Sequence, residues 1–465
     1  MREDYAAGKA VLLAAVAALG GFLFGFDTAV INGAVQAVRE DFRMGAGLTG
    51  FVVSAALLGC VVGAYTAGRL ADRYGRIRIK VAAAILFAVS AIGSALAVGP
   101  FDLMAWRIVG GLAVGAASVI APAYIAEIAP ASIRGRLGSL QQLAIVSGIF
   151  VSLLSDAWLA SAAGGAGQPL FFGKEAWRWM FASAAVPAVA YGMLATTIPE
   201  SPRYLVARGE LDPARRVLST ILRTGIDERI AEIRRTVAQD RQSSLSDLKR
   251  PGGGLLPIVW IGIALSVFQQ FVGINVIFYY SSTLWQSVGF TEKDALTQTV
   301  ITSVTNIVVT LIAIALIDRI GRRVLLLLGS AGMFATLALL AFLFASAPRA
   351  PGADGILVPV LSGGTGRTAL IAANGFVVFF GMSWGPAVWV LLGEMFNNKI
   401  RGTALGVAAA AQWVANFAIS TSFPPMAEMG LGFAYGFYAA CALLSLVFVL
   451  RFVPETKGRE LEDMD

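Results

Sequence analysis

The sequence predicts an all-α integral membrane protein of twelve transmembrane helices. They are arranged as two six-helix bundles in parallel repeat, with a small cytoplasmic helical segment between them. Three observations predict this. Of 465 residues, 57% are hydrophobic and only 14% charged, where soluble domains carry roughly 25% charged residues. Apolar runs long enough to cross a bilayer recur six times before a polar stretch and six times after it. Charged motifs that follow runs in the first set return, in the same order, after the equivalent runs of the second.

The first run, about 10–36, is too long for a signal-peptide core and lacks a clean cleavage site. Runs near 48–70, 79–99, 103–126, 137–160 and 178–198 complete an N-terminal bundle, 1–198. Residues 199–254 read as a cytoplasmic linker with amphipathic helices at Pro213–Leu222 and Glu228–Gln239. Pro251-Gly252-Gly253-Gly254 closes it. Runs near 256–286, 296–317, 323–346, 368–395, 402–422 and 431–453 form a C-terminal bundle, 255–453, leaving 454–465 as a cytoplasmic tail.

The basic residues fall on one side of this path. Arg69, Arg73, Arg76, Arg78 and Lys80 follow the second run, and Arg134 and Arg136 the fourth. Arg319, Arg322 and Arg323 follow the eighth, and Lys399 and Arg401 the tenth. Cationic loops stay in the cytoplasm, so both termini and the linker are expected there, in the cell membrane. The net charge of +7 therefore records topology and calls for no nucleic acid. The chain has no histidine, and its two cysteines, Cys60 and Cys441, lie inside apolar runs. Neither a zinc site nor a disulfide frame is indicated, and no cofactor is expected. Any proton carried must ride on Asp or Glu.

The halves repeat. Asp72-Arg73-Tyr74-Gly75-Arg76 returns as Asp318-Arg319-Ile320-Gly321-Arg322. Glu127 with Arg134-Gly135 returns as Glu394 with Arg401-Gly402, and Pro199-Glu200-Ser201 as Pro454-Glu455-Thr456. The same side of the membrane recurs, so the repeats are parallel.

Ser266–Tyr280 is the polar anomaly. It carries Gln269, Gln270, Asn275, Tyr279 and Tyr280 in an otherwise apolar run. An unpartnered amide in hydrocarbon costs several kcal/mol. At about 100° per residue a straight helix cannot aim all five at one small ligand; a break at Gly273 can swing the two groups together. Amides and phenols both donate and accept hydrogen bonds, which suits a neutral, hydroxyl-rich ligand. Helix-to-helix hydrogen bonding is the competing reading. Asp27 is the clearest acid deep in a run, and Arg107, in the fourth run, is its matching cation. We expect Asp27 to carry a coupling proton with Arg107 tuning it; a static buried pair is the alternative. Asp156, near the outer end of the fifth run, is expected to be solvated.

The chain resembles the sugar porter family of the major facilitator superfamily from end to end. The residues that carry the resemblance are GFDTAV (25–30), GRLADRYGR (68–76), WRIVGG with Arg107, PAYIAEIAPASIRG (122–135), PESPRYL (199–205), QQFVGINVIFYY (269–280), DRIGRR (318–323), WGPAVWVLLGEMF (384–396) and VPETKGRELE (453–462). It is most similar to bacterial proton-coupled pentose and hexose symporters.

The resemblance implies that a monosaccharide and protons are the partners, with the lipid bilayer as solvent and a monomer as the working unit. It implies sugar contacts from Phe24, Gln142, Gln269, Gln270, Asn275, Tyr280, Asn306, Trp384, Gln412, Trp413 and Asn416. Arg69, Asp72, Arg73, Arg76, Glu127, Arg134 and Glu200, with Arg319, Arg322, Glu394, Arg401 and Glu455, read as cytoplasmic gates whose inter-helix salt bridges latch the outward-open state. Gly381, Gly385 and Pro386 are hinge candidates. Alternatives are a sugar or polyol uniporter and a non-transporting sensor; an intramembrane enzyme lacks the necessary groups.

Overall fold

The structure, a computed structural model, describes residues 5–130, 133–239, 245–250, 253–351, 357–361, 363–396 and 400–454. The first half comprises α1 (Ala7–Asp41), α2 (Ala46–Tyr74), α3 (Arg76–Ala95), α4 (Pro100–Ile128), α5 (Arg134–Ala163), α6 (Ala176–Ser183) and α7 (Ala185–Ala195). The linker holds α8 (Pro202–Ala207), α9 (Leu211–Ile221) and α10 (Ile226–Gln239). The second half comprises α11 (Pro257–Phe271), α12 (Ile274–Ser287), α13 (Glu292–Ile320), α14 (Arg322–Ala345), α15 (Gly363–Met382), α16 (Trp384–Met395), α17 (Arg401–Met429) and α18 (Leu431–Phe452). A short antiparallel ribbon, β1 (Arg349–Pro351) with β2 (Leu357–Pro359), interrupts the expected all-helical chain between α14 and α15.

Among the described residues, eleven continuous or broken helices are long and apolar enough to span, and α6 with α7 would make the twelfth. Two of the breaks have one cause. A proline cannot donate to the carbonyl four residues before it. Pro187 leaves Ser183, the last residue of α6, without that donor, and Pro386 does the same to Met382, the last residue of α15. The helix break near the hinge candidates Gly381, Gly385 and Pro386 therefore falls at Ser383. Pro122, by contrast, sits inside α4, and Pro424 and Pro425 inside α17, without ending them.

The third break is at Gly273, between α11 and α12, where φ is +85°. A side chain there would also run into the Tyr438 ring, with its Cβ 2.8 Å away. The repeat is visible in backbone geometry. Gly75 (φ 98°, ψ 155°) joins α2 to α3, and Gly321 (φ 99°, ψ 150°) joins α13 to α14. Both positions need a conformation that L side chains avoid.

Within the first half, small residues set the packing. Gly59 and Gly63 on α2 face Ile108 and Leu112, while Gly111 and Gly115 on α4 face Ala56 and Cys60. A Cβ on any of the four would overlap a backbone carbonyl. This reciprocal small-xxx-small contact lets two backbones approach where water supplies no driving force. Exposed Leu12, Val62, Tyr65, Ile85, Phe342 and Ile371 face outward, as lipid solvation allows.

The linker folds as the amphipathic pattern predicts. Leu205, Ala214, Val217, Leu218 and Ile233 form a small core with Tyr5 packed against it. The Ala6 amide bonds the Ile221 carbonyl at 2.8 Å, tying the linker to the start of α1. Ser201 caps α8 by accepting from the Arg203 and Tyr204 amides, with Pro202 following. We call the end of the bundle near this linker the basic end.

Candidate functional site

At mid-bundle α1 presents Asp27 to α4. Its carboxylate lies 3.9 Å from the Arg107 guanidinium, with the two side chains 15% and 3% exposed. That distance is an ion pair without a hydrogen bond. Arg107 instead donates to the Val53 carbonyl at 3.3 Å, and its Nε has no partner. Asp27 therefore has Arg107 within ion-pairing distance but accepts no hydrogen bond from it.

The polar stretch of the seventh span wraps its own break. The Gln269 amide donates to the Trp384 carbonyl at 2.8 Å and the Gly385 carbonyl at 3.3 Å. The Asn275 amide donates across the break to Gln270 Oε1, and Gln270 in turn reaches Gln269. Two broken spans are thus joined by amides. Tyr280 donates to the Ser420 carbonyl at 2.8 Å, Asn416 accepts from the Ser420 hydroxyl, and Tyr279 bonds Asn416. Asn306, buried on α13, packs by Gly381. Across the two halves, the rings of Phe24 and Trp413 meet at 5.5 Å. Gln142 is half-buried and makes none of the described hydrogen bonds, and Gln412 keeps an unpartnered Oε1. Both have free capacity for a ligand.

Two expectations fail here. Trp384 does not face open space: its ring is fully buried, and its N–H donates to Ser330 Oγ at 2.9 Å and the Leu326 carbonyl at 3.2 Å. Trp389, which sequence reasoning passed over, is 43% exposed. It lies three and four residues after Pro386 and Gly385, on the same helix face, where Gln269 touches the backbone. The signal was available: on α16 the two tryptophans stand 500° apart, so only one can face a cavity. Asp156 is also not solvated. It is 0% exposed, packed on Gly33 of α1.

The end opposite the basic end is sealed by bonds between halves. Asn32 on α1 donates to the Phe278 carbonyl at 3.0 Å and Ser281 Oγ at 2.9 Å, and it accepts from the Ser282 amide at 3.0 Å. Ser54 and Thr421 share a hydroxyl bond of 2.6 Å, and Phe51 meets Phe417 edge-on at 5.9 Å. Arg39 pairs with Glu428 at 3.2 Å. None of these residues was singled out in advance. Asn32, a polar residue in an apolar run five places after Asp27, was the available clue.

At the basic end the charged motifs close within the first half. Arg76 holds Glu127 in a two-pronged pair, at 3.1 and 2.9 Å, and reaches Asp72 at 2.9 Å. Glu200 was expected to form a salt bridge; its carboxylate instead accepts the Arg76 and Ile77 amides at 3.0 and 3.2 Å, capping α3. Arg69 and Arg73 stack on Tyr65 and Tyr74 rather than joining ion pairs. Lys80 is buried with its ammonium 3.6 Å above the Tyr124 ring. Arg322, the repeat partner of Arg76, is buried too. Glu455 and the side chains of Arg134, Arg319, Glu394 and Arg401 lie outside the described residues.

The profile of the Sugar (and other) transporter family matches residues 13–465. The chain belongs to the sugar transporter family. It is 57% identical to the glucose transport protein of Synechocystis sp. (strain ATCC 27184 / PCC 6803 / Kazusa), over 98% of this chain and 96% of that one. It is 36% identical to the D-xylose-proton symporter of Escherichia coli (strain K12), over 100% and 97%. Among solved structures, the inward open conformation of the xylose transporter XylE from E. coli superposes with a TM-score of 0.80 at 35% identity. That match covers 97% of this chain and 98% of that one. The xylose symporter bound to 6-bromo-6-deoxy-D-glucose superposes equally well, at 36% identity and 99% coverage of each. The chain is therefore a multi-pass sugar transporter of the major facilitator fold, and not an enzyme.

Proposed function

We propose that this transporter carries a monosaccharide together with a proton across the cell membrane by alternating access, with glucose the first sugar to test. The observation that carries the proton is the Asp27–Arg107 pair at 3.9 Å. A carboxylate with no hydrogen bond from its cation gains or loses a proton without dismantling a network. Glucose comes from the glucose transport protein of Synechocystis, 57% identical to this chain, and coupling from the xylose and arabinose relatives whose names state it.

The sugar would sit between the halves, against Gln142 and Phe24 on one side and Gln269, Gln270, Asn275, Asn306, Gln412, Trp413, Asn416 and Trp389 on the other. Amides bond hydroxyls, and an indole covers the C–H face of a ring. The Asn32 latch closes one end. The Arg76–Glu127–Asp72 cluster and its repeat counterpart would govern the other, which the positive-inside rule assigns to the cytoplasm. Both termini and the linker then lie inside, the two bundles span 1–198 and 255–453, and a monomer holds every part of the path.

The deciding experiment uses proteoliposomes with acid outside and labelled glucose, xylose, galactose and arabinose. Uphill uptake of one sugar, abolished by a protonophore, establishes symport and names the substrate. Uptake that only equilibrates makes the protein a uniporter and Asp27 structural. That second reading has its own support, because the name of the glucose relative states no coupling.

A further inference from the structure

Among the described residues, Asp156 is the one buried acid that the transport cycle above leaves unused. It sits on α5, where its carboxylate faces only the Gly33 backbone of α1 and no side chain among the described residues bonds either oxygen. The place is made for it. Gly33 on α1 has no side chain, and a Cβ there would stand 2.6 Å from the Asp156 Cβ and 2.8 Å from Oδ2. The residue before that glycine is Asn32, whose side chain latches α1 to α12. Gly33 follows Asp27 by six residues, which places it about 9 Å farther along α1 toward the sealed end.

No cation among the described residues answers Asp156. On α1 the nearest acids are Asp27 and Glu40, and Glu40 is bonded to Gln36. On α6, Arg178 is engaged by Glu175 and Asp41, and Ser183 by Ser155 and its own helix. On α13, Glu292 holds the Ala166 amide, while Lys293 and Asp294 are exposed. On α4, Arg107 stands by Asp27. Ser152, one turn away on α5, is buried and unpartnered itself. An ionised carboxyl withdrawn from water without a partner costs several kcal/mol, so an acid in this packing is neutral. It becomes free to ionise only when α1 and α12 part and water reaches it.

We propose that Asp156 is a second proton-binding carboxyl, protonated while the Asn32 latch is closed and releasing its proton to water when that latch opens. It packs on Gly33, about 9 Å nearer the sealed end than Asp27, so opening at that end exposes Asp156 before the deeper acid. Latch closure then requires the proton back, which ties closure to acid outside. This deepens the symport reading and rests on it for its role in transport, but the protonation itself is tested separately.

The test is infrared spectroscopy of the purified, reconstituted protein, following the carbonyl stretch of protonated carboxyls against pH. Wild type is compared with Asp156→Asn, Asp156→Glu and Asp27→Asn. The expected result is a protonated-acid band that survives alkaline titration in wild type, is lost in Asp156→Asn, moves in Asp156→Glu and persists in Asp27→Asn. In Asn32→Ala, with the latch weakened, that band should titrate at lower pH. An Asp156→Asn spectrum that keeps every protonated-acid band overturns the proposal, as does a band indifferent to the latch. If uptake proves purely equilibrative while the Asp156 band behaves as described, the symport reading fails and the proton site stands.

Discussion

Asn32 and Ser282 hold each other by two hydrogen bonds across the two halves. The Ser282 amide donates to Asn32 Oδ1 at 3.0 Å, and the Ser282 hydroxyl donates to the Asn32 carbonyl at 2.5 Å. One is a side-chain contact and the other a backbone contact, so substitution removes only part of the latch. Asn32→Ala deletes the side chain's three described bonds, each worth about 0.5–1.5 kcal/mol. The equilibrium should move about tenfold or more toward the state open at that end. Spin-label distances between α1 and α12 report it, and an unchanged distance distribution would remove Asn32 from the gate.

Gln142 and Gln269 should separate binding from architecture. Gln142 has no described partner, so Gln142→Ala should weaken sugar binding about threefold to tenfold with little change in thermal unfolding. Gln269 ties the two broken spans together, so Gln269→Ala should lower both affinity and melting temperature. Equal stability loss in the two variants would contradict their placement.

The two tryptophans of α16 should behave oppositely. Trp384 is enclosed and hydrogen-bonded, and Trp384→Ala should cost about 3–5 kcal/mol of stability. Trp389 is exposed, and Trp389→Ala should spare the fold while reducing affinity for sugar. Labelled-glucose binding and thermal melts on both proteins decide it; unaltered affinity in Trp389→Ala would place that ring outside the site.

Arg76 and Glu127 form a buried two-pronged pair, with side chains 9% and 12% exposed. Glu127→Ala leaves the guanidinium only the exposed Asp72 carboxylate and the Ala71 carbonyl, so the change should cost up to about 3–5 kcal/mol, the range for breaking a buried pair from one side. The matching Arg76→Ala change should cost a similar amount, and the double variant should cost less than the two together. Strict additivity in the double-mutant cycle would show that the pair is not coupled.

Gly63→Val should fail to assemble the first half, because the backbone of Leu112 already occupies the space of a Cβ. A folded, monodisperse variant in detergent would mean that α2 and α4 have another way to pack.

How much was legible in the sequence follows from the kind of signal each feature leaves. Span number, the division into halves, the repeat and the linker helices are statements about runs of residues, and hydropathy and motif order carry them. Gly273 was readable as a break because five polar side chains cannot share one face of a straight helix. The break at Ala184 went unread although Pro187 marks it, because a proline inside an apolar run can also stay within a helix, as Pro122 does.

Among site residues, Asp27 and Arg107 were legible because ionisable groups in lipid need a reason. Trp384, Trp389 and Asp156 were not, because which face of a helix meets a neighbour depends on rotation about its axis. That rotation is set by packing partners hundreds of residues away. The sequence alone determined that this chain crosses the membrane as two repeated halves with polar groups at their junction. Only the tertiary structure decided that Trp384 is enclosed, that Glu200 caps a helix instead of bridging, that Asn32 seals one end and that Asp156 lies dry against Gly33. Composition is local, whereas burial and pairing belong to contacts between distant segments.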